Sequence, residues 1–436
     1  MNIIFGGRKM RNSLILLALI FIACTSNAQS NKTDALLKSP QDTVINFEKS
    51  VLYFPGGRDA QDNFYAKLNN LKKESLDNVN IWHVGGSHVQ GGSFPNRLRD
   101  NFQKFGGEGE RGFVFPRQLA GTNEDKSIRM TAEGNWYAPM LTKTSKEEKP
   151  RYGITGFAAR CDSTASIGLN TNPKKRKNGW NFNQIRLLGY ASSGKAYPEL
   201  YVGNKKCKHK FDSLTASYFY DLPKLTDSVR IDFVIPEGEY FVFTGLQPLT
   251  GKKGVNYFAS GVNGARVTAW ADQCEDLERE LQLVKPDLVI FGLGINDSAC
   301  DSLSFSPDKF KKGYRRLIKK VHKVSPDCAM IFITNNDSYR YVKGGMEYNY
   351  NADEVRVAMI ELAAEYNAGV WDLYGVMGER GSVHTWLEVG YISKDQLHFS
   401  PKGYRRIADL LFEAILADFE NPEEDLERIT VEPMKN

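Results

Sequence analysis

Residues 81–98 read IWHVGGSHVQGGSFPNRL, and the reading of the whole chain turns on them. An apolar run from Val79 to Val84, broken by polar residues, stops at Gly85-Gly86-Ser87-His88. A second glycine pair, Gly91-Gly92, follows, and then a helical pattern carried by Phe94, Leu98 and Phe102. Strand, glycine turn, small nucleophile and helix is how an α/β enzyme presents a serine hydroxyl at the carboxyl end of a strand. Alone, Gly-Gly-Ser is also an ordinary turn. Chemistry at Ser87 therefore requires a base, an orienting acid and an oxyanion site from elsewhere in the chain.

The 436 residues suggest two domains, or one enlarged by an insertion. A hydrophobic content of 41% and a charged content of 25% are those of a globular protein with a substantial core. Residues 1–28 form a signal peptide: Arg8, Lys9 and Arg11 precede an apolar run from Leu14 to Ala23 that is too short to span a bilayer. Two exits compete. Residues 21–24, FIAC, resemble a lipobox that would make Cys24 a lipidated first residue, whereas Ser26-Asn27-Ala28 resembles an ordinary signal-peptidase site. Either exit implies export, to the periplasm or outer membrane of a bacterium or beyond the cell. Removing residues 1–28 takes the formal net charge from +5 to +2, which withdraws most support from nucleic-acid binding. The five other cysteines, Cys161, Cys207, Cys274, Cys300 and Cys328, are odd in number and lack Cys-x-x-Cys spacing. They indicate neither a disulfide framework nor a zinc site.

Periodicity divides the remainder. Residues 29–59 read as a polar leader or tether. Residues 60–115 open an α/β domain, with helical spacing over 63–75 and the strand before Ser87. Residues 116–250 change character: short alternating segments at 184–189, 199–202, 217–222, 229–235 and 239–246, separated by turns, predict an inserted β-sandwich. Residues 251–419 return to alternation, with strands at 256–260, 287–292, 328–334 and 369–373. Helices are predicted over 267–281, 310–324, 352–366 and from Ser400-Pro401 to about 419, where serine caps and proline opens the last one. An acidic tail, 420–436, follows. The fold class is α/β: a parallel five-stranded sheet covered on both faces and interrupted by the sandwich.

Three further segments fall at strand ends or loops on the same side: residues 260–265 (SGVNGA), 292–297 (GLGIND) and 395–398 (DQLH). His398 is the candidate base for Ser87, and Asp395, three residues before it, the candidate orienting acid. The amides of Ser87 and Gly264 and the carboxamide of Asn296 are candidate oxyanion donors. His88 and Asp297 are candidates for the pocket wall, with Asp372 a further cleft candidate.

These four blocks, Gly-x-Ser-His, Gly-x-Asn-Gly-Ala, Gly-x-Asn-Asp and Asp-x-x-His in this order, resemble those of the SGNH or GDSL hydrolases. The flanking text, KPDLVIFGLGIND over 285–297 and DQLHFSPKGYRRIADLL over 395–411, agrees. The resemblance covers roughly residues 60–115 and 251–419. It implies a flavodoxin-like doubly wound sheet, Ser87 as nucleophile, His398 as base, Asp395 as its partner, and no cofactor or metal. Within that family the chain is similar to bacterial envelope esterases that remove O-acetyl groups from cell-wall sugars and carry an inserted sandwich resembling a carbohydrate-binding module. Its implied partner is an acylated carbohydrate or other small ester. An O-acyltransferase with the same triad and a catalytically silent sugar binder remain alternatives. One departure stands out: the family usually has Asp directly before the serine, and here the residue is Gly86.

Plainer roles stand beside these. Ser87, Gly264 and Asn296 are residue types common in turns. His83, on the strand before Ser87, reads as a packed core histidine. The basic run at residues 174–177 reads as an exposed loop. Residues 189–196, GYASSGKA, nearly match a phosphate-binding loop but lack its final Ser/Thr and its strand–helix setting. Trp136, Trp180 and residues 218–220 fit a sandwich core better than a sugar-stacking surface.

Overall fold

The central sheet has six strands: β1 (Leu52–Tyr53), β2 (Asn78–Gly85), β3 (Gly254–Gly261), β4 (Leu288–Gly292), β5 (Ala329–Ile333) and β6 (Gly369–Trp371). Their spatial order is β1-β6-β5-β4-β2-β3. The last five are parallel, and only the two-residue edge strand β1 runs antiparallel. The parallel part is the flavodoxin-like doubly wound order, whose direction reverses between β2 and β4. The computed structural model from which this follows describes residues 39–421 except 176–179 and 301–303. The signal segment with Cys24, residues 29–38, part of the basic run and residues 422–436 lie outside the described residues. No described helix is long and apolar enough to cross a membrane.

Alternation along each strand explains the two layers. Ile81, Tyr257, Ile290 and Ile331 meet Phe64 and Leu68 of α1 (Asp59–Lys72), Leu98 and Phe102 of α2 (Ser93–Gly106) and Leu411 of α5 (Pro401–Glu420). Their neighbours Trp82, Val84, Val289, Phe291 and Phe332 face the other way. They meet Tyr314 and Leu317 of α3 (Pro307–Val324) and Met359 of α4 (Ala352–Glu365). The Ser400 hydroxyl caps α5 by accepting from the Gly403 amide at 3.1 Å.

Between α2 and β3 the chain builds two five-stranded antiparallel sheets. Phe233 of one meets Phe241 and Phe243 of the other, with ring centroids 5.2 and 6.0 Å apart. The sandwich joins the sheet domain through buried contacts, among them Glu280, which accepts from the Ile154 amide at 2.7 Å. Tyr220 is buried and Tyr218 nearly so, while Trp136 packs edge-on against Phe233. The segment 189–196 is strand and turn within this sandwich, without a following helix.

Two expectations need correction. A tether does not extend through residue 59. Asp42 is fully buried and ion-paired with Arg406 at 3.1 Å, the Tyr391 hydroxyl donates to it, and β1 pairs with β6. The segment is polar because it delivers a carboxylate to a buried arginine rather than to solvent. The helix expected over 267–281 is instead a π-turn, Ala269–Gln273, followed by a short helix, Leu277–Leu281. The wider turn carries Trp270 under the sheet, where its indole donates to the Gly85 carbonyl at 3.2 Å.

Two stability measurements test this packing. Asp42→Ala removes a buried carboxylate from the ion pair with Arg406, and denaturant unfolding should show a loss of about 3 kcal/mol. An unchanged midpoint would mean the segment is a tether after all. Burial pushes the Glu280 carboxyl up to about 7 against the opposing hydrogen bond from Ile154. The native state therefore retains a proton that the unfolded chain releases above its ordinary value, so this contribution is full at low pH and is lost as pH rises through 7. The thermal midpoint should fall between pH 5 and pH 8, and Glu280→Gln should flatten that fall.

Candidate active site

Ser87 follows β2 directly and opens a single helical turn, Ser87–Gln90. That turn lies at the sheet's reversal point, where crevices form outside the carboxyl ends of the strands. Its seat demands glycine. A Cβ on Gly85 would stand 2.4 Å from Val89 Cγ2 and 2.9 Å from the Gly292 carbonyl oxygen.

Across the crevice, the loop before α5 brings His398 Nε2 to 2.8 Å from Ser87 Oγ. His398 Nδ1 lies 2.7 Å from Asp395 Oδ2. The other carboxylate oxygen, Oδ1, accepts from the amides of Leu397 and His398 at 3.1 and 3.0 Å. Burial works to raise the Asp395 carboxyl, but the imidazole and these amides outweigh it and hold it below the usual carboxylate range. One carboxylate thus fixes both the loop and the imidazole. The loop is anchored from β5's side as well: the Asn336 carboxamide donates to the Leu397 carbonyl at 3.0 Å, and the Tyr339 amide to that of Gln396 at 2.9 Å.

Gly264 and Asn296 line the same cleft as Ser87 and His398, a space of about 400 Å³. Gly264 has φ +76°, and the Asn296 Nδ2 donates to the Ala265 carbonyl at 3.1 Å. The five residues Ser87, Gly264, Asn296, Asp395 and His398, spread over more than three hundred positions, therefore meet at one place.

His88 and Asp297 do not line the cleft. His88 turns behind the site, its Nδ1 2.7 Å from the Tyr404 hydroxyl and its ring edge-on to His398. Burial, and then the neighbouring His398, push its pKa down to about 3, so it stays neutral. Asp297 turns to accept from the Val267 amide, and burial pushes its carboxyl up to about 7. Asp372 is also buried away, held by Arg356 and by the Thr334 hydroxyl. His83 is a core residue, fully buried with Nδ1 2.7 Å from the Tyr257 hydroxyl. Tyr404 and Asn123 do line the cleft, and sequence reasoning singled out neither. Tyr404 stood in the quoted last block. Asn123 lies in the Thr122-Asn123-Glu124-Asp125 turn, whose composition signals a loop and nothing more.

Among the described residues no group of three or more His, Cys, Asp or Glu side chains is arranged to hold a metal ion.

Residues 212–406 match the model of the GDSL-like lipase/acylhydrolase family. The matched segment contains Gly264, Asn296, Asp395 and His398, and begins after Ser87. No curated protein matches the chain. Among solved structures, a peptidoglycan O-acetylesterase superposes with a TM-score of 0.67 at 22% identity, covering 85% of this chain and 99% of that one. An acetyl xylan esterase covers 37% of this chain and 81% of its own at 20% identity, TM-score 0.30. A carbohydrate esterase of family 3 from Talaromyces cellulolyticus covers 40% and 76% at 16% identity, TM-score 0.28. The family match over residues 212–406 and the fold together support a carboxylic ester hydrolase of the SGNH/GDSL type. Over 85% of its length the chain is similar in fold to the peptidoglycan O-acetylesterase.

Gly86 can be tested directly. A Cβ there would stand 2.8 Å from Asn296 Nδ2. Gly86→Ala should displace that carboxamide and lower kcat for p-nitrophenyl acetate by about tenfold or more, with an unaltered circular dichroism spectrum. Full activity would show that Asn296 yields without consequence.

Proposed function

We propose that this protein is an exported serine esterase that removes O-acetyl groups from a carbohydrate of the cell envelope through an acyl-enzyme on Ser87. The observation that carries the reading is the unbroken line from Asp395 through His398 to Ser87 Oγ, at 2.7 and 2.8 Å. His398 Nε2 takes the hydroxyl proton as Ser87 Oγ bonds to the ester carbonyl carbon, while Nδ1–H donates to Asp395. The resulting oxyanion accepts from the amides of Ser87 and Gly264 and from Asn296 Nδ2. His398 then protonates the departing sugar oxygen, and the carbon–oxygen bond to the sugar breaks. Water, deprotonated by the same imidazole, attacks the acyl carbon and releases acetate and free Ser87.

The cleft's chemistry supports a short acyl group on a neutral, polar alcohol. Its lining side chains are hydroxyls, carboxamides and an imidazole, with Leu397 the one aliphatic member. The fold's likeness to a peptidoglycan O-acetylesterase supports a cell-wall sugar as the alcohol, and the basic, apolar N-terminal segment supports export. In this reading the sandwich, residues 116–250, holds the polymer beside the cleft, as a carbohydrate-binding module would.

Release of p-nitrophenol from p-nitrophenyl acetate is the first test. Ser87→Ala should abolish it, and Asp395→Asn should lower kcat by about 10³- to 10⁴-fold by leaving the imidazole in the wrong tautomer. Wild-type protein indistinguishable from the buffer blank would reject the esterase reading. If acetate is not freed from an acetylated sugar but moves to an added acceptor sugar, the protein is a transferase instead.

A further inference from the structure

Asn123 reaches the cleft from outside the parallel sheet domain. It lies in the loop between α2 and the first sandwich strand, Arg129–Glu133, yet lines the same space as Ser87 and His398. Its amide orientation is fixed by a chain of hydrogen bonds that begins at a backbone group. The Asn263 amide N–H donates to Gln90 Oε1 at 2.6 Å, so Gln90 must present Nε2 on its other side. That nitrogen donates to Asn123 Oδ1 at 2.8 Å, to the Asn123 carbonyl at 3.0 Å and to Thr122 Oγ1 at 2.8 Å. Asn263 Nδ2 donates to the same Asn123 Oδ1 at 2.7 Å, and to Thr122 Oγ1 at 2.9 Å.

Asn123 Oδ1 thus receives two carboxamide donors, and a reversed amide would set N–H groups against both. Nδ2 is left to the cleft. Gln90 is fully buried and belongs to the same helical turn as Ser87, so the rim and the nucleophile share one rigid support. Asn123 is also more exposed than Asn263 or Asn296. With an acetyl group on Ser87, the part of a substrate that projects toward solvent is its alcohol.

We infer that Asn123 is a specificity-determining residue, donating from Nδ2 to an acceptor oxygen on the sugar part of the ester. The ligand class is a neutral carbohydrate carrying a hydroxyl, ring or acetamido oxygen near the acetylated position. This rests on the carbohydrate-esterase reading above and adds to it the residue that distinguishes a sugar ester from a simple one. Asn123→Asp is the informative substitution. A carboxylate still accepts from Gln90 and Asn263, so the support survives, but it offers no donor and repels an oxygen lone pair.

The experiment compares wild type, Asn123→Asp and Asn123→Ala on O-acetylated chitooligosaccharide and on p-nitrophenyl acetate, which has no sugar. The ratio of kcat/KM for the sugar acetate to that for p-nitrophenyl acetate should fall about tenfold in the alanine variant and further in the aspartate variant, chiefly through KM. Thermal midpoints check that both variants are folded. A ratio unchanged in both variants, with the sugar acetate turned over well by wild type, overturns the role of Asn123 alone. Wild type that hydrolyses p-nitrophenyl acetate but not the sugar ester overturns the carbohydrate reading, and this role with it.

Discussion

The site depends on a steric constraint: how closely one helical turn approaches the ends of two strands. Ser87–Gln90 sits directly on the tips of β2 and β3, so near that a Cβ on Gly261 would stand 2.3 Å from the Gln90 amide nitrogen. Glycines at these tips let backbone meet backbone where side chains would hold the turn away. The consequences run outward from there. Ser87 Oγ is held at the height of the crevice rather than above it, and Gln90 is driven into the interior to become the support of the opposite rim. The indole of Trp270, carried on the π-turn Ala269–Gln273, donates to the Gly85 carbonyl beneath the same turn.

The second half of the machinery is rigid for a different reason. The loop at residues 395–398 has no regular structure to hold it, so polar groups define it. Asp395 accepts two backbone amides and the imidazole, while Asn336 and the Tyr339 amide fix the carbonyls of Leu397 and Gln396. Residues 334–338 are buried polar side chains at the carboxyl end of β5. Buried polar groups of this kind are costly unless paired, and once paired they specify one arrangement. Behind them His88 and Tyr404 fill the space next to His398, and burial keeps His88 neutral, so it adds no positive charge beside that imidazole.

The features legible from sequence were those with local signatures. The five parallel strands are apolar runs ending in glycine or a polar turn, and Ser87, Gly264 and Asn296 follow such endings, whereas Asp395 and His398 lie in the loop before α5. The long strands of the sandwich alternate visibly. Its short strands, Ala159–Cys161 and Lys205–Cys207 among them, carry too few residues to show a period. What escaped was set by partners remote in the chain. Asp42 reads as a polar leader residue until Arg406, more than three hundred and fifty residues away, is beside it. His88 and Asp297 adjoin motif residues in sequence but turn from the cleft, because neighbours on a helical turn point in different directions. Asn123 was invisible for the same reason as Asp42: its meaning lies in Gln90 and Asn263, not in its own turn.

Gly86 shows how such a departure can be absorbed. The resemblance leads one to expect Asp before the serine, bracing the nucleophile turn. Here that turn is braced from other sides. The Gly86 carbonyl accepts the amides of Val89 and Gln90, and the Gly85 carbonyl accepts from Trp270. The Gln90 side chain ties the turn to Asn263 and Asn123. The space a side chain would take is filled instead by the Asn296 carboxamide, which also bonds the Ala265 carbonyl. Glycine at position 86 therefore lets a candidate oxyanion donor close directly onto the backbone beside Ser87. That close packing supplies from across the crevice the order that a bracing carboxylate would otherwise supply from within the turn.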